Sequence, residues 1–121
     1  MHELAIAQSM FEIARRPARG LRVTQVEGRV GRLRQVGPAS LAFAFEVIAQ
    51  GTELEGAELV IEHVPAAGVC RDCGSAVELP DFPLVCPACV GVDVDVTAGE
   101  ELEVESLEVE VESEEALLRA M

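Results

Sequence analysis

The sequence predicts an α+β protein: a small mixed sheet of about three strands with two helices, into which a four-cysteine module is inserted. Three observations predict it. All four cysteines sit in two C-x-x-C pairs, Cys70 to Cys73 and Cys86 to Cys89, with twelve residues between the pairs. Before them, apolar residues fall into helical and strand-like spacing in the order helix, strand, helix, strand. After them comes one more strand-like stretch, whose apolar side is covered only if it returns to the first two strands. The cysteine segment is therefore expected as an insertion rather than a separate C-terminal domain. The expected division is 1–65 with 99–112 for the α/β part, 66–98 for the module and 113–121 for a C-terminal tail.

Glu3 to Arg16 reads as an amphipathic helix. Leu4, Ala7, Met10 or Phe11, and Ala14 recur at three- and four-residue spacing, with Ile6 and Ile13 beside them. Glu3 stands at the positive end of the helix dipole, Arg15 and Arg16 at the negative end. Pro17 and Gly20 are expected to stop it. Leu21 to Val30 is a strand; Val26, Gly28 and Val30 keep period two while Val23 is out of phase, which places a bulge near Gln25. Gly31 and Gly37 mark a turn, and Pro38 suits the first position of a second helix. Leu41, Ala44, Phe45 and Ile48 form its buried face, and Gly51 its end. Leu59 to Val64 is a second strand with blurred alternation. Pro65 to Gly68 reads as a linker into the module, which runs to about Val96 and is closed by Gly99. Leu102 to Val111 returns to strand character. Leu102 and Val104 share one phase, and Leu107, Val109 and Val111 the other, so a bulge is expected at Ser106. Ser113, Glu114 and Glu115 suit the cap of a last helical turn through Ala120.

A C-x-x-C turn points two sulfurs at one place. Two facing turns offer four thiolates in a tetrahedron, a set that suits zinc. Cys70, Cys73, Cys86 and Cys89 are thus expected to hold a structural Zn(II) in a zinc-ribbon-like module with four cysteine ligands. Gly74, Ser75, Pro87 and Gly91 beside the pairs let backbone amides approach the sulfurs. Two disulfides or a redox pair would use the same residues. Nothing resembling a signal peptide precedes them, so a reducing cytoplasm is the expected setting and disulfides are disfavoured. Iron in a rubredoxin-like site is left open by the ligand set alone. A closed four-sulfur site does no chemistry; it holds together a segment too small to fold alone.

Half of the 121 residues are hydrophobic, with no Trp or Tyr and four Phe, so the core is aliphatic. No apolar run approaches the roughly 20 residues of a membrane helix. A net charge of −13 argues against a nucleic-acid partner. Seven of the nine basic residues, all Arg, fall between Arg15 and Arg34, and eleven acids between Asp93 and Glu115. The simpler expectation is that the two stretches neutralise each other across the sheet; the alternative is a docking surface for a charged partner. No nucleophile–base pair or phosphate loop points to an enzyme. A zinc-ribbon module for protein interaction or nucleic-acid binding is the competing function, since it shares the cysteine spacing.

Met1, His2 and Glu3 are the other informative place. His2 is bulky, so the initiator Met is expected to stay. The α-amine, the His2 backbone nitrogen and the His2 ring nitrogen then close adjacent chelate rings on one ion, with the next amide nitrogen or the Glu3 carboxylate completing the set. Nitrogen ligands in a plane suit Ni(II) or Cu(II). Imidazole binds a metal only when unprotonated, so affinity is expected to fall on acidification. On these three residues alone, a solvated terminus is the commoner outcome. His63, late in a strand, reads as a surface residue rather than a ligand.

Several short segments carry a resemblance. They are Met1-His2-Glu3; Val36-Gly37-Pro38-Ala39-Ser40-Leu41 leading into Phe43-Ala44-Phe45-Glu46; Gly51-Thr52; Glu55-Gly56-Ala57 before Leu59-Val60-Ile61-Glu62; the two C-x-x-C pairs; Glu101-Leu102; and Ser106-Leu107-Glu108-Val109. In this order and spacing the chain resembles the hydrogenase maturation nickel metallochaperones of the HypA/HybF family over residues 1–110. The resemblance implies a cytoplasmic protein that delivers Ni(II) for the [NiFe]-hydrogenase large subunit. It implies work with the maturation GTPase HypB and, in some organisms, with urease maturation proteins, and it leaves a homodimer open. It implies His2 as nickel ligand with the Met1 amine and Glu3 nearby, and Cys70, Cys73, Cys86 and Cys89 as zinc ligands. Some relatives have an acid linked to the nickel site where this chain has Gly37, so backbone nitrogens or water are expected to complete the site here. The tail from Ser113 lies outside the resemblance.

Overall fold

The computed structural model describes residues 2–80 and 82–110. In chain order the elements are α1 (His2–Ala18), β1 (Val23–Gly31), a 3-10 turn (Arg32–Arg34), α2 (Pro38–Ala49), β2 (Glu58–Val64), β3 (Ala66–Cys70), β4 (Ala76–Leu79), β5 (Val94–Ala98) and β6 (Leu102–Val109). They make an α+β fold with two three-stranded sheets, ordered β2-β1-β6 and β4-β3-β5. The chain divides into two compact units. Met1–Arg29, Val36–Glu62 and Leu102–Met121 form the first; Val30–Gln35 and His63–Glu101 form the second.

In the first unit, α1 buries Ile6, Ala7, Met10, Phe11, Ala14 and Ala18. These positions share one helical face, and burying a large apolar side chain such as Phe11 stabilises by about 2 kcal/mol. Leu4 and Ile13, counted with that face in the sequence, are exposed at its margins. The helix passes through Pro17 and ends one residue later. Proline has no N–H to donate to the Ile13 carbonyl one turn back, so the helix stops there, and left-handed Arg19 and Gly20 then reverse the chain. α2 starts at Pro38, whose missing N–H costs nothing there, and buries Leu41, Ala44, Phe45 and Ala49. Phe11 and Phe45 join the two helices edge to face, with ring centroids 6.4 Å apart.

The sheet of this unit is mixed. Arg22 Nη2 donates to the Glu55 carbonyl and Arg29 Nε to the Glu62 carboxylate, both across 33 positions, so β1 and β2 run parallel with α2 as the crossover. Glu110 N donates to the Arg22 carbonyl and Gly31 N to the Glu101 carbonyl, so β6 runs antiparallel to β1. Burial changes phase between Val23 and Val26 on β1, and at Ser106 on β6. The two changes lie opposite each other, so the register is the same at both ends of the pair. Helix and sheet pack tightly at Gly28, where an added Cβ would stand 2.6 Å from both Met10 Cε and the Glu103 carbonyl oxygen. Charge neutralisation across the sheet centres on Arg29, within 3.3 Å of Glu62 and 3.5 Å of Glu103 and Glu105.

The second unit has its own sheet. Ala66 to Val69 of β3 pair antiparallel with Leu79 to Ala76 of β4, and Ala67 to Cys70 with Ala98 to Val94 of β5. The stretch expected as a linker, Pro65 to Gly68, is therefore mostly the central strand. Ala66, Ala67 and Gly68 carry little strand signal of their own; the two flanking strands impose it. Among the described residues no helix is long and apolar enough to cross a membrane. The expected last turn from Ser113 to Ala120 lies outside the described residues.

Candidate metal centres

Cys70 closes β3, and Cys73 lies in the turn that leads to β4. The Cys70 amide donates to the Ser75 carbonyl at 2.9 Å, and the Gly74 amide to the Cys70 carbonyl at 2.7 Å. The second pair repeats this frame. The Cys86 amide donates to the Gly91 carbonyl at 2.9 Å, and the Val90 amide to the Cys86 carbonyl at 2.8 Å. Each frame folds its pair into a knuckle, and the two knuckles face each other.

All four sulfurs lie within 4.8 Å of one another. Cys70 and Cys89 Sγ are 3.6 Å apart, and Cys73 and Cys86 Sγ 3.8 Å. Four sulfurs at about 2.3 Å from a central ion stand about 3.8 Å apart along each edge of the tetrahedron. The cluster thus fits a tetrahedral metal ion, while the four thiols are free of disulfide bonds. Cys70 and Cys86 are buried, and Cys73 and Cys89 face outward. Without a cation the thiols must share protons. The hydroxyl and amide of Ser75 hydrogen-bond Cys73 and hold its pKa down at about 6. At Cys89 the Gly91 amide pulls downward, but the bond to Cys70, partial desolvation among the other sulfurs, and Cys73 and Cys86 outweigh it and push the thiol up to about 12. A divalent ion removes this conflict by replacing the protons.

The amino end carries the second set. His2 is the first residue of α1 and is exposed, and its Nε2 lies 2.9 Å from Glu3 Oε2. The structure brings His2 and Glu3 together; Met1 lies outside the described residues. Gly37 caps α2 with an ordinary extended φ of −72°, and an added Cβ there would meet only Ser40, at 3.5 Å. Glycine is not required by the backbone at that position. His63 is half-buried in β2 and is not part of the four-cysteine cluster. No direct sequence signal marks left-handed Val90, φ 64°. Aligning the two knuckles would have exposed it, because Gly74 occupies the same place in the first.

Fold and cluster together define a small α+β metal-binding protein. Residues 1–109 match the family model described as hydrogenase/urease nickel incorporation, metallochaperone, hypA. The chain belongs to the HypA family of nickel metallochaperones, maturation factors for hydrogenase. It is 48% identical over 110 residues to hydrogenase maturation factor HypA of Geotalea uraniireducens (strain Rf4), across 91% of this chain and 100% of that one. It is 42% identical over 110 residues to hydrogenase maturation factor HypA of Geobacter sulfurreducens, with the same coverage of 91% and 100%. The solution structure of the Ni metallochaperone HypA from Helicobacter pylori matches the fold with a TM-score of 0.63. That match covers 88% of this chain and 96% of that one at 21% identity.

Proposed function

We propose that this chain carries Ni(II) at its amino end to the [NiFe]-hydrogenase large subunit, and that Cys70, Cys73, Cys86 and Cys89 hold a Zn(II) as a structural fastening. The observation that carries the nickel reading is the His2–Glu3 pair at the first turn of α1. Backbone nitrogens in the first turn of a helix have no partner within the helix, so those of His2 and Glu3 can ligate an ion without breaking helical hydrogen bonds. Glu3 accepting from His2 Nε2 fixes the tautomer, so that Nδ1 carries the lone pair. Nδ1 is the nitrogen that closes a chelate ring with the residue's own backbone nitrogen. The Met1 amine completes the in-plane set. The positive end of the helix dipole opposes a cation, which favours a site that lets go.

The four-sulfur cluster is the opposite kind of site: four protein ligands close it, and one of its knuckles is the turn of a hairpin. Zinc suits it because the ion is redox-inert and takes tetrahedral sulfur without strain. In this reading the first unit handles the cargo and the second, with residues 66–98 at its centre, is the zinc module. Handing over an ion unchanged requires no bond-making residue, so the chain is a carrier rather than an enzyme. A site that needs its cysteines reduced suits the cytoplasm. Its partners are the GTPase HypB and, where urease is made, urease maturation proteins; a homodimer would present two amino ends. The test is the nickel content of the hydrogenase large subunit in cells that lack the chain. The wild-type chain should restore nickel and His2→Ala should not; full restoration by His2→Ala overturns the cargo reading.

A further inference from the structure

We propose that metal enters and leaves the four-cysteine cluster by its second knuckle, Cys86 to Gly91, and that Val90 is the residue that keeps this knuckle the labile one. The proposal rests on the Zn(II) reading of the cluster given above.

The two knuckles have the same pair of backbone hydrogen bonds but differ in three respects. The frame demands a left-handed residue four positions after its first cysteine. Gly74 supplies it in the first knuckle, with φ 76°. In the second, Val90 is forced to φ 64°. Glycine adopts that region freely, whereas a β-branched residue is the type least suited to it. Nothing in the packing compensates, because Val90 is 75% exposed.

The sulfurs are also held unequally. Cys73 receives both the hydroxyl and the amide of Ser75. Cys89 receives the Gly91 amide, at 3.4 Å. Gly91 offers no hydroxyl, and the space where a Cβ would stand is taken by Asp72 Oδ2, at 2.5 Å, and Cys89 Sγ, at 3.1 Å. The third difference lies in the flanks. The first knuckle is the turn of a hairpin whose strands are in register from Val69 opposite Ala76 onward. The second lies between Leu79 and Val94, where the described residues form no strand. With the ion bound, the first knuckle is therefore braced by the sheet as well, while the second has only the ion and its own two backbone hydrogen bonds.

The test is the rate of zinc transfer from the full-length protein to a chromogenic chelator, for wild type, Val90→Gly and Gly74→Val. A Cβ at Gly74 meets nothing within 4 Å, so that substitution imports backbone strain without a clash. Val90→Gly should slow transfer about threefold, the relief of left-handed strain less the greater freedom of glycine in the opened chain. Gly74→Val should speed it by a similar factor. Hydrogen exchange of the zinc-bound wild type supplies a second readout that does not depend on either variant folding. The amides of residues 86 and 88–91 should exchange faster than those of residues 70–75. Unchanged transfer in Val90→Gly, or faster exchange at the first knuckle, overturns the proposal while leaving the zinc reading intact. Wild-type protein that binds no zinc overturns both.

Discussion

Arg15 holds Glu53 with two hydrogen bonds, Nε to Oε1 at 2.6 Å and Nη2 to Oε2 at 3.2 Å. The guanidinium, helped by a backbone hydrogen bond, keeps the Glu53 carboxyl below its ordinary pKa. A carboxylate depressed in the folded state contributes stability above its unfolded pKa, and that contribution is lost as pH falls through the folded value. Arg15 also lies 5.4 Å from the centre of the Phe11 ring, a contact that does not titrate in this range. Arg15→Ala should therefore cost about 0.5–1 kcal/mol through the ion pair at neutral pH, with a further loss from the ring contact. Urea unfolding at pH 7 and at about pH 3 should show the difference from wild type shrinking in acid without vanishing. A gap that widens in acid would contradict the assignment. At the same scale, the cysteines and the His2–Glu3 pair were legible from residue type and spacing. The Ser75 hydroxyl bond to Cys73 and the strain at Val90 were not, because both depend on how the knuckles close.

The two helices were legible as elements because each has enough turns for its apolar spacing to register. α2 shows how sharply the faces differ. Phe45 is buried against Phe11, whereas Phe43, two residues earlier, is 66% exposed. Phe45→Ala should cost about 3–5 kcal/mol and Phe43→Ala within about 0.5 kcal/mol, measured by denaturant midpoints on zinc-bound protein. Equal costs would mean that the helix is rotated from the orientation described. The sheet of the first unit was legible to its phase changes, since Val23 against Val26 and Val104 against Leu107 record them directly. The sheet of the second unit was hidden. β3 is built from Ala66, Ala67, Gly68, Val69 and Cys70, and β4 has four residues. Strands this short take their conformation from their neighbours, so a reading of local pattern saw only the cysteines.

Across the whole molecule, the two units depend on different forces. The first has a core of Phe45, Met10, Leu41, Leu54, Val23 and Val26, all fully buried. The second buries few large side chains, Leu79 and Val64 among them, and its central strand ends on a metal-site cysteine. A small sheet with so little apolar burial is expected to need its ion. Removing the metal with a strong chelator should abolish hydrogen-exchange protection in β3, β4 and β5 while α1 and α2 stay protected. Uniform loss, or none, would refute a fastening confined to the second unit. The return of the last apolar strand to the first was legible at this scale, because its apolar side had no other cover; the three strands of the second unit were not.

The account turns on two metals held in two ways, so the most direct measurement is metal analysis of one preparation, nickel and zinc together, for wild type and His2→Ala after equilibration with Ni(II). The account predicts that His2→Ala loses its bound nickel and keeps its full zinc. Nickel retained at the wild-type level, or zinc lost along with it, would contradict the account.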